Sequence, residues 1–259
     1  VLVVAQNIDD IVALDPAQAY EFTSGELVTN LYDRLVQYDA EDTTVLAPGL
    51  AAEWEADAEA KSITFTLRDG ATFASGNPVT VDDVLFSFGR VIKLNLTPAF
   101  ILTLLGWTAE NIDQMVTAEG NTVTVKYDGD FSPAFVLNVL AARPASIVEV
   151  DGDMGNAWLN ENSAGSGPFK LDRYAPAQMV RMSANEGYFN GAPEIESVII
   201  RHVAEAATQQ LLLEKGDIDL ARNLTPDQIA SIDNEEIKVE TYPQAAVHFL
   251  SFNQKTESL

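Results

Sequence analysis

Two hydrophobic periods take turns along this chain. VLVVAQ (1–6) is a continuous apolar run that predicts a buried strand. In SITFTLR (62–68), Ile63, Phe65 and Leu67 alternate with polar neighbours and predict a half-buried strand. NTVTVKY (121–127) repeats that alternation. QMVRMSA (178–184), ESVIIRHV (196–203), IKVETY (237–242) and VHFLSF (247–252) read as further strands, and DIDLA (217–221) as a short one. Between them the period lengthens to that of a helix. Ser24 is placed to cap a helix carrying Leu27, Leu31 and Leu35 on one face. Thr80 with Asp83 resembles a capping box ahead of Val81, Val84, Leu85 and Phe88. Ser132-Pro133 and Thr225-Pro226 each open a helix by the cap-then-proline rule. A helix over 204–216 ends with Gly216 where a left-handed cap belongs. Asp69-Gly70 and SGNP (75–78) are turn signals, and GSGPFKLDRY (165–174) is a loop entering a strand. The sum is a mixed α/β chain with no long linker.

Composition narrows the function classes. The 259 residues are 47% hydrophobic and 21% charged, which is a globular balance. Fifteen basic against 39 acidic residues leave a net charge of -24. That disfavours nucleic acid, whose phosphates need a basic footprint, and also peripheral binding to anionic lipid. The absence of cysteine excludes disulfides, zinc–thiolate sites and cysteine nucleophiles. Apolar stretches around 99–107 and 134–142 are too short to span a bilayer. Val1 opens straight into a strand-like run, so a signal peptide removed before this residue is the expectation.

Catalytic or metal chemistry finds little support. Asp82 and Asp83 are helix neighbours that point different ways, and Asp83 is better used as a cap. DGDMGN (151–156) lacks the spacing and closing Glu of a calcium loop. GSGPF matches neither a dinucleotide fingerprint nor a nucleophile elbow. His202 and His248 lie far apart, each in a strand pattern. Trp54, Trp107 and Trp158 read as core or interface aromatics.

The order of motifs points elsewhere. The stretch 46–91 carries Leu50, Ala51, Trp54, Phe65, Leu67, Arg68, Gly70, Phe73, Gly76, Pro78, Thr80, Asp83 and Val84. This pattern resembles the family 5 extracellular solute-binding proteins of ABC importers, the peptide, opine and nickel type. LDPAQAY (14–20), GSGPFKL, NEGYFNGAPEIESVIIR (185–201), LLLEKGDIDLA and LSFN (250–253) resemble its further signatures in the same order. The chain departs at Val81, where Ala is usual, and at Ala74 and Ser75, where a polar-acidic pair is usual.

The resemblance implies an α/β fold: a periplasmic binding protein type II-like lobe with a mixed sheet and flanking helices, plus an inserted α+β subdomain. The second lobe is missing and would follow Leu259. Residues 1–45 and 167–259 would form the ligand-facing part, and 46–166 the extra subdomain. The dense segment 65–88 would then be structural. By family position, ligand-binding residues would be Tyr20, Glu21, Phe22, Phe100, Arg222 and Asn223. Tyr20 and Phe22 would supply apolar walls. Arg222 would either fork onto a ligand carboxylate or make a surface salt bridge with Asp219 or Asp227. The implied role is the substrate-binding component of an ABC transporter, a periplasmic or membrane-tethered monomer without cofactor, metal or catalytic residue. It would deliver a di- or oligopeptide or related solute to a membrane permease. An oligosaccharide, opine or metal chelate is the alternative ligand. A hydrolase using Asp217 or Asp219, or a signalling receptor on the same scaffold, is the alternative class.

Overall fold

The computed structural model describes residues 1–39, 42–150, 155–222 and 224–241. The chain opens with β1 (Leu2–Gln6), α1 (Phe22–Leu31), β2 (Val36–Tyr38), β3 (Leu46–Pro48), β4 (Ala51–Asp57) and β5 (Ser62–Leu67). Next come α2 (Val81–Leu94), α3 (Ala99–Thr103), α4 (Ile112–Met115), β6 (Val116–Glu119), β7 (Thr122–Lys126), α5 (Pro133–Leu140) and α6 (Asn156–Leu159). β8 (Phe169–Ala175), β9 (Met179–Ala184), β10 (Ser197–His202), α7 (Ala206–Glu214), β11 (Leu220–Ala221) and α8 (Pro226–Ser231) complete it. No helix among the described residues is long and apolar enough to cross a membrane.

The larger sheet has the order β11-β1-β10-β9-β8. β1 pairs parallel to β10, with Val4 beside Ile200, and parallel to β11, with Val4 beside Leu220. β9 runs antiparallel to both β10 and β8, so the sheet is mixed. A second, antiparallel sheet runs β4-β5-β7-β6, and β2 and β3 form a two-stranded ribbon. Two apolar cores follow from these sheets. One gathers Val4, Leu14, Leu27, Leu31, Val180 and Ile200. The other gathers Phe65, Phe73, Phe88, Trp107, Val125 and Leu140. Each core excludes water from one sheet face and the helix laid on it, which is the main favourable term in folding.

The segment 65–88 is held by its own polar groups. Ile63, Phe65 and Leu67 point inward from β5, as their alternation predicts. Glu149, buried, accepts from Ser75 Oγ at 2.9 Å and from Asn77 Nδ2 at 2.6 Å, which pins the SGNP turn. At the start of α2 the Asp83 carboxylate accepts from Thr80 N at 2.8 Å and from the Thr80 hydroxyl at 2.7 Å. Its other oxygen accepts from Val150 N at 2.9 Å. So the cap also ties the chain leaving the second core to the helix.

Three expectations are corrected. Ser24 is not a cap: it sits buried inside α1, whose N-cap is Glu21, and Asp10 Oδ2 instead accepts from Thr23 N at 3.1 Å. Leu35 is buried but lies beyond the helix, because α1 stops at Leu31. It stops there because the GSGP loop closes on it: Gly167 N donates to Leu31 O at 3.1 Å. Residues 237–241 form no strand, since no strand among the described residues lies alongside to pair with them. The strand expected over 247–252 and most of the 151–156 loop lie outside the described residues.

The loop glycines are demanded by this closure. A Cβ on Gly167 would sit 2.5 Å from Leu31 C and 2.6 Å from Asn30 O, both rigid backbone atoms. Gly89, in the middle of α2, has nothing nearer than Lys93 Nζ at 3.8 Å. In chemical denaturation of the full-length protein, Gly167→Ala should therefore lose about 1–3 kcal/mol. Gly89→Ala should gain about 0.5–1 kcal/mol, because alanine orders a helix interior at lower entropic cost. A Gly167→Ala protein as stable as its parent would mean the loop does not close on α1.

Candidate functional site

The loop entering α1 is shaped by one carboxylate. Asp15 accepts from Arg90 Nη1 at 2.8 Å, Arg90 Nη2 at 2.5 Å, Asn156 Nδ2 at 2.6 Å and Ala17 N at 2.8 Å. Its carbonyl accepts from Gln18 N at 2.9 Å and Ala19 N at 2.7 Å. The tight turn throws Tyr20, Glu21 and Phe22 outward. Tyr20 is 46% exposed and Phe22 86%. Glu21 folds its carboxylate back on Tyr20 N at 3.2 Å. Exposed aromatic side chains grouped at one place offer apolar surface to a partner.

Phe100 meets this loop. It lies on α3, is 51% exposed, and contacts Tyr20 edge-on with ring centroids 5.8 Å apart. Tyr20, Pro98 just ahead of α3 and Ile101 on it line a cavity of about 1000 Å³. Asp33, Arg34, Arg68, Arg143 and Tyr188 supply much of its polar wall.

The polar wall has a defined electrostatic arrangement. Asp33 accepts from Ser166 Oγ at 2.9 Å and from Tyr188 OH at 3.2 Å. Burial pushes the Asp33 carboxyl up, while those two hydrogen bonds and the Arg34 and Arg68 charges oppose the rise. Burial likewise raises Tyr188, helped by the neighbouring Asp33 charge. Burial pulls Arg34 down, opposed chiefly by Asp33. Arg68 donates from Nε to Gly49 O at 3.2 Å and lies over the Phe189 ring at 4.9 Å. Arg143 rests against α1 where Gly25 leaves room: a Cβ there would meet Arg143 Nη1 at 1.3 Å.

Arg222 sits elsewhere. It directly follows β11, its guanidinium pairs with Glu26 on α1, and it lines a different cavity of about 950 Å³ beside Leu2, Val4 and Leu27. Its ion-pair partner is thus neither Asp219, whose carboxylate accepts from Val3 N at 2.7 Å, nor Asp227. Asn223 lies outside the described residues. The structure therefore brings Tyr20 and Phe100 together, with Glu21 and Phe22 adjacent in the chain, and puts Arg222 in another cavity. Sequence reading missed Asp33, Arg34, Arg143 and Tyr188. The one available signal was a charged pair, Asp33-Arg34, inside the apolar run LYDRLV.

Trp107 and His202 have structural partners. Trp107 is buried and donates from Nε1 to Lys126 O at 2.8 Å. His202 accepts from Ile8 N on Nδ1 at 3.3 Å and lies 3.6 Å from Asp9 Oδ1. His248 lies outside the described residues.

Asp33 generates a pH prediction. A carboxyl raised in the native state binds its proton more tightly there than in the unfolded chain. Stability therefore falls as pH climbs from the usual 3.8 through the raised value. Asn at this position cannot titrate. The melting temperature of Asp33→Asn relative to the parent should accordingly improve as pH rises from about 4. A difference independent of pH would contradict the assignment.

Comparison with known proteins supplies the context for this geometry. Residues 45–259 match the family profile described as bacterial extracellular solute-binding proteins, family 5 Middle. The chain is 33% identical over 257 residues to the probable D,D-dipeptide-binding periplasmic protein DdpA of Escherichia coli K12, covering 95% of this chain and 48% of that protein. It is 30% identical over 263 residues to the dipeptide-binding protein of the same organism, covering 92% and 48%. Among solved structures, the Escherichia coli murein tripeptide binding protein MppA superposes with a TM-score of 0.76 at 25% identity. That match covers 88% of this chain and 47% of MppA. The chain spans about half the length of the curated relatives it matches.

Proposed function

This chain belongs to the family 5 bacterial extracellular solute-binding proteins, and on that premise we propose that it serves as the substrate-binding component of an ABC transporter. It captures a di- or oligopeptide, or a related amino-acid-derived solute, and delivers it unaltered to a membrane permease. The relatives support a peptide cargo, since they are named for D,D-dipeptides and dipeptides. They also support a periplasmic location after removal of a signal peptide, since DdpA is named a periplasmic protein.

The observation that carries the reading is the exposed Tyr20–Phe100 pair at the edge of the cavity. Aromatic faces of this kind wall a ligand at low entropic cost and leave backbone groups free to pair with it. Tyr20, Glu21, Phe22 and Phe100 form the ligand-facing edge. Arg222 and Asn223 form a second contact segment. The chain divides into a ligand-facing part, 1–45 and 167–259, and an extra subdomain, 46–166. The two apolar cores support that division in outline, with Val148, Leu159 and Ala164 joining the core of the ligand-facing part and Ala17, Leu35 and Val36 the other. Binding favours closure of the ligand-facing part on a second lobe, a population shift set by the difference in affinity between closed and open forms. No turnover is required of any residue, and the protein works as a monomer.

The test is calorimetry on the full-length protein against peptide, opine and sugar libraries, joined to permease-dependent uptake in cells. Peptide binding with permease-dependent uptake is expected. No bound solute, or uptake independent of the protein, would overturn the reading. Tyr20→Ala and Phe100→Ala should each weaken peptide binding by about tenfold, with the melting temperature of the free protein nearly unchanged.

A further inference from the structure

Arg34 is the unexplained charge in this molecule. Its side chain lines the cavity beside Tyr20, yet the residue is only 6% exposed. Its Nε and Nη1 are shut off from solvent and have no hydrogen-bond partner among the described residues. A guanidinium presents five donors in a rigid fork, and leaving them unmade in a buried place is costly. The adjacent carboxylate does not use them, because Asp33 takes its hydrogen bonds from Ser166 and Tyr188.

The surroundings indicate what the fork awaits. The chain has 15 basic residues against 39 acidic ones, and yet Arg34, Arg68 and Arg143 all line this one cavity. Arg68 is committed to Gly49 O and the Phe189 ring. Asp33 and Asp39 share the wall, so three arginines against two aspartates leave one formal positive charge. One uncompensated charge matches a singly charged oxyacid group and underfills a doubly charged phosphate. The planar fork also matches a carboxylate in geometry.

We propose that this cavity receives a carboxylate group of the bound solute on the Arg34 guanidinium. The assignment rests on the solute-binding reading, and it gives to Arg34 the role that the family position suggested for Arg222. The incoming carboxylate meets the guanidinium from the cavity side, and a small rotation of the side chain turns its sealed edge toward the anion. Ala141, Ala142 and Pro144, on the same wall, offer apolar surface to the carbon atoms next to that group. No proton or covalent bond moves.

Two measurements on the full-length protein test this. Calorimetry compares alanylalanine, in both chiralities, with its C-terminal amide. The parent should prefer the acid by about tenfold or more, and Arg34→Met should bring that ratio close to one, with Arg34→Lys between. A preference that survives in Arg34→Met overturns the assignment. The second measurement needs neither a variant that folds nor a known cargo: the Arg34 Nε–Hε NMR resonance of the parent is followed while sodium acetate or sodium phosphate is added. A saturable shift with acetate supports the site. No shift, or a shift with phosphate alone, overturns it. If neither dipeptide nor amide binds while acetate still shifts Arg34, the peptide-carrier reading fails and the carboxylate site stands.

Discussion

The ion pair between Asp15 and Arg90 is the contact on which the ligand-facing geometry depends. Both side chains are almost fully withdrawn from water, and the two parallel bonds measure 2.8 and 2.5 Å. Desolvating two charges is expensive, and the arrangement holds because Asn156 and the Ala17 amide also donate to the Asp15 carboxylate. Removing one partner from such a pair typically costs about 3–5 kcal/mol, since the other is left charged and buried. Its value here is positional as well as energetic. Asp15 belongs to the loop that ends in Tyr20, and Arg90 to a helix whose apolar face lies in the other core. One contact thereby fixes where the exposed aromatics stand relative to the cavity.

That explains why so much local specification is spent on residues 65–88, of which only Arg68 lines the cavity among the described residues. The buried β5 face, the turn held by Glu149 and the Thr80–Asp83 cap together set the start and axis of α2. Once the helix starts at Val81, its period delivers Arg90 toward the Asp15 loop. From the other side, Gly167 closes on the end of α1 and Ser166 places Asp33, so the cavity wall is set by a loop distant in sequence. The site is assembled from supports rather than from one motif.

What was legible in the sequence was what local rules decide. Thr80 with Asp83, Ser132 ahead of Pro133, Thr225 ahead of Pro226 and Gly216 all appear where their side-chain or backbone preferences put them. The alternating strands β5 and β7 bury the positions their period marks. Local rules failed where distant groups compete. Ser24 looked like a cap, but Asp10 satisfies the first turn and the helix starts three residues earlier. β4 escaped notice because only Ala51 is buried and Trp54 half-buried along it, so its alternation is faint. Arg34 was hidden for the opposite reason: a charge among Leu31, Tyr32, Leu35 and Val36 gives no periodic signal, and its meaning rests on the cavity around it.

Backbone hydrogen exchange on the full-length Arg90→Met protein tests the central claim most directly. If the Asp15–Arg90 pair holds the loop in place, the amides of Ala17, Gln18 and Ala19, which donate to Asp15, should lose protection strongly. The β5–β7 ladder around Phe65 and Val123 should keep its protection. Unchanged protection at Ala17, Gln18 and Ala19, or an equal loss across both regions, would contradict the account.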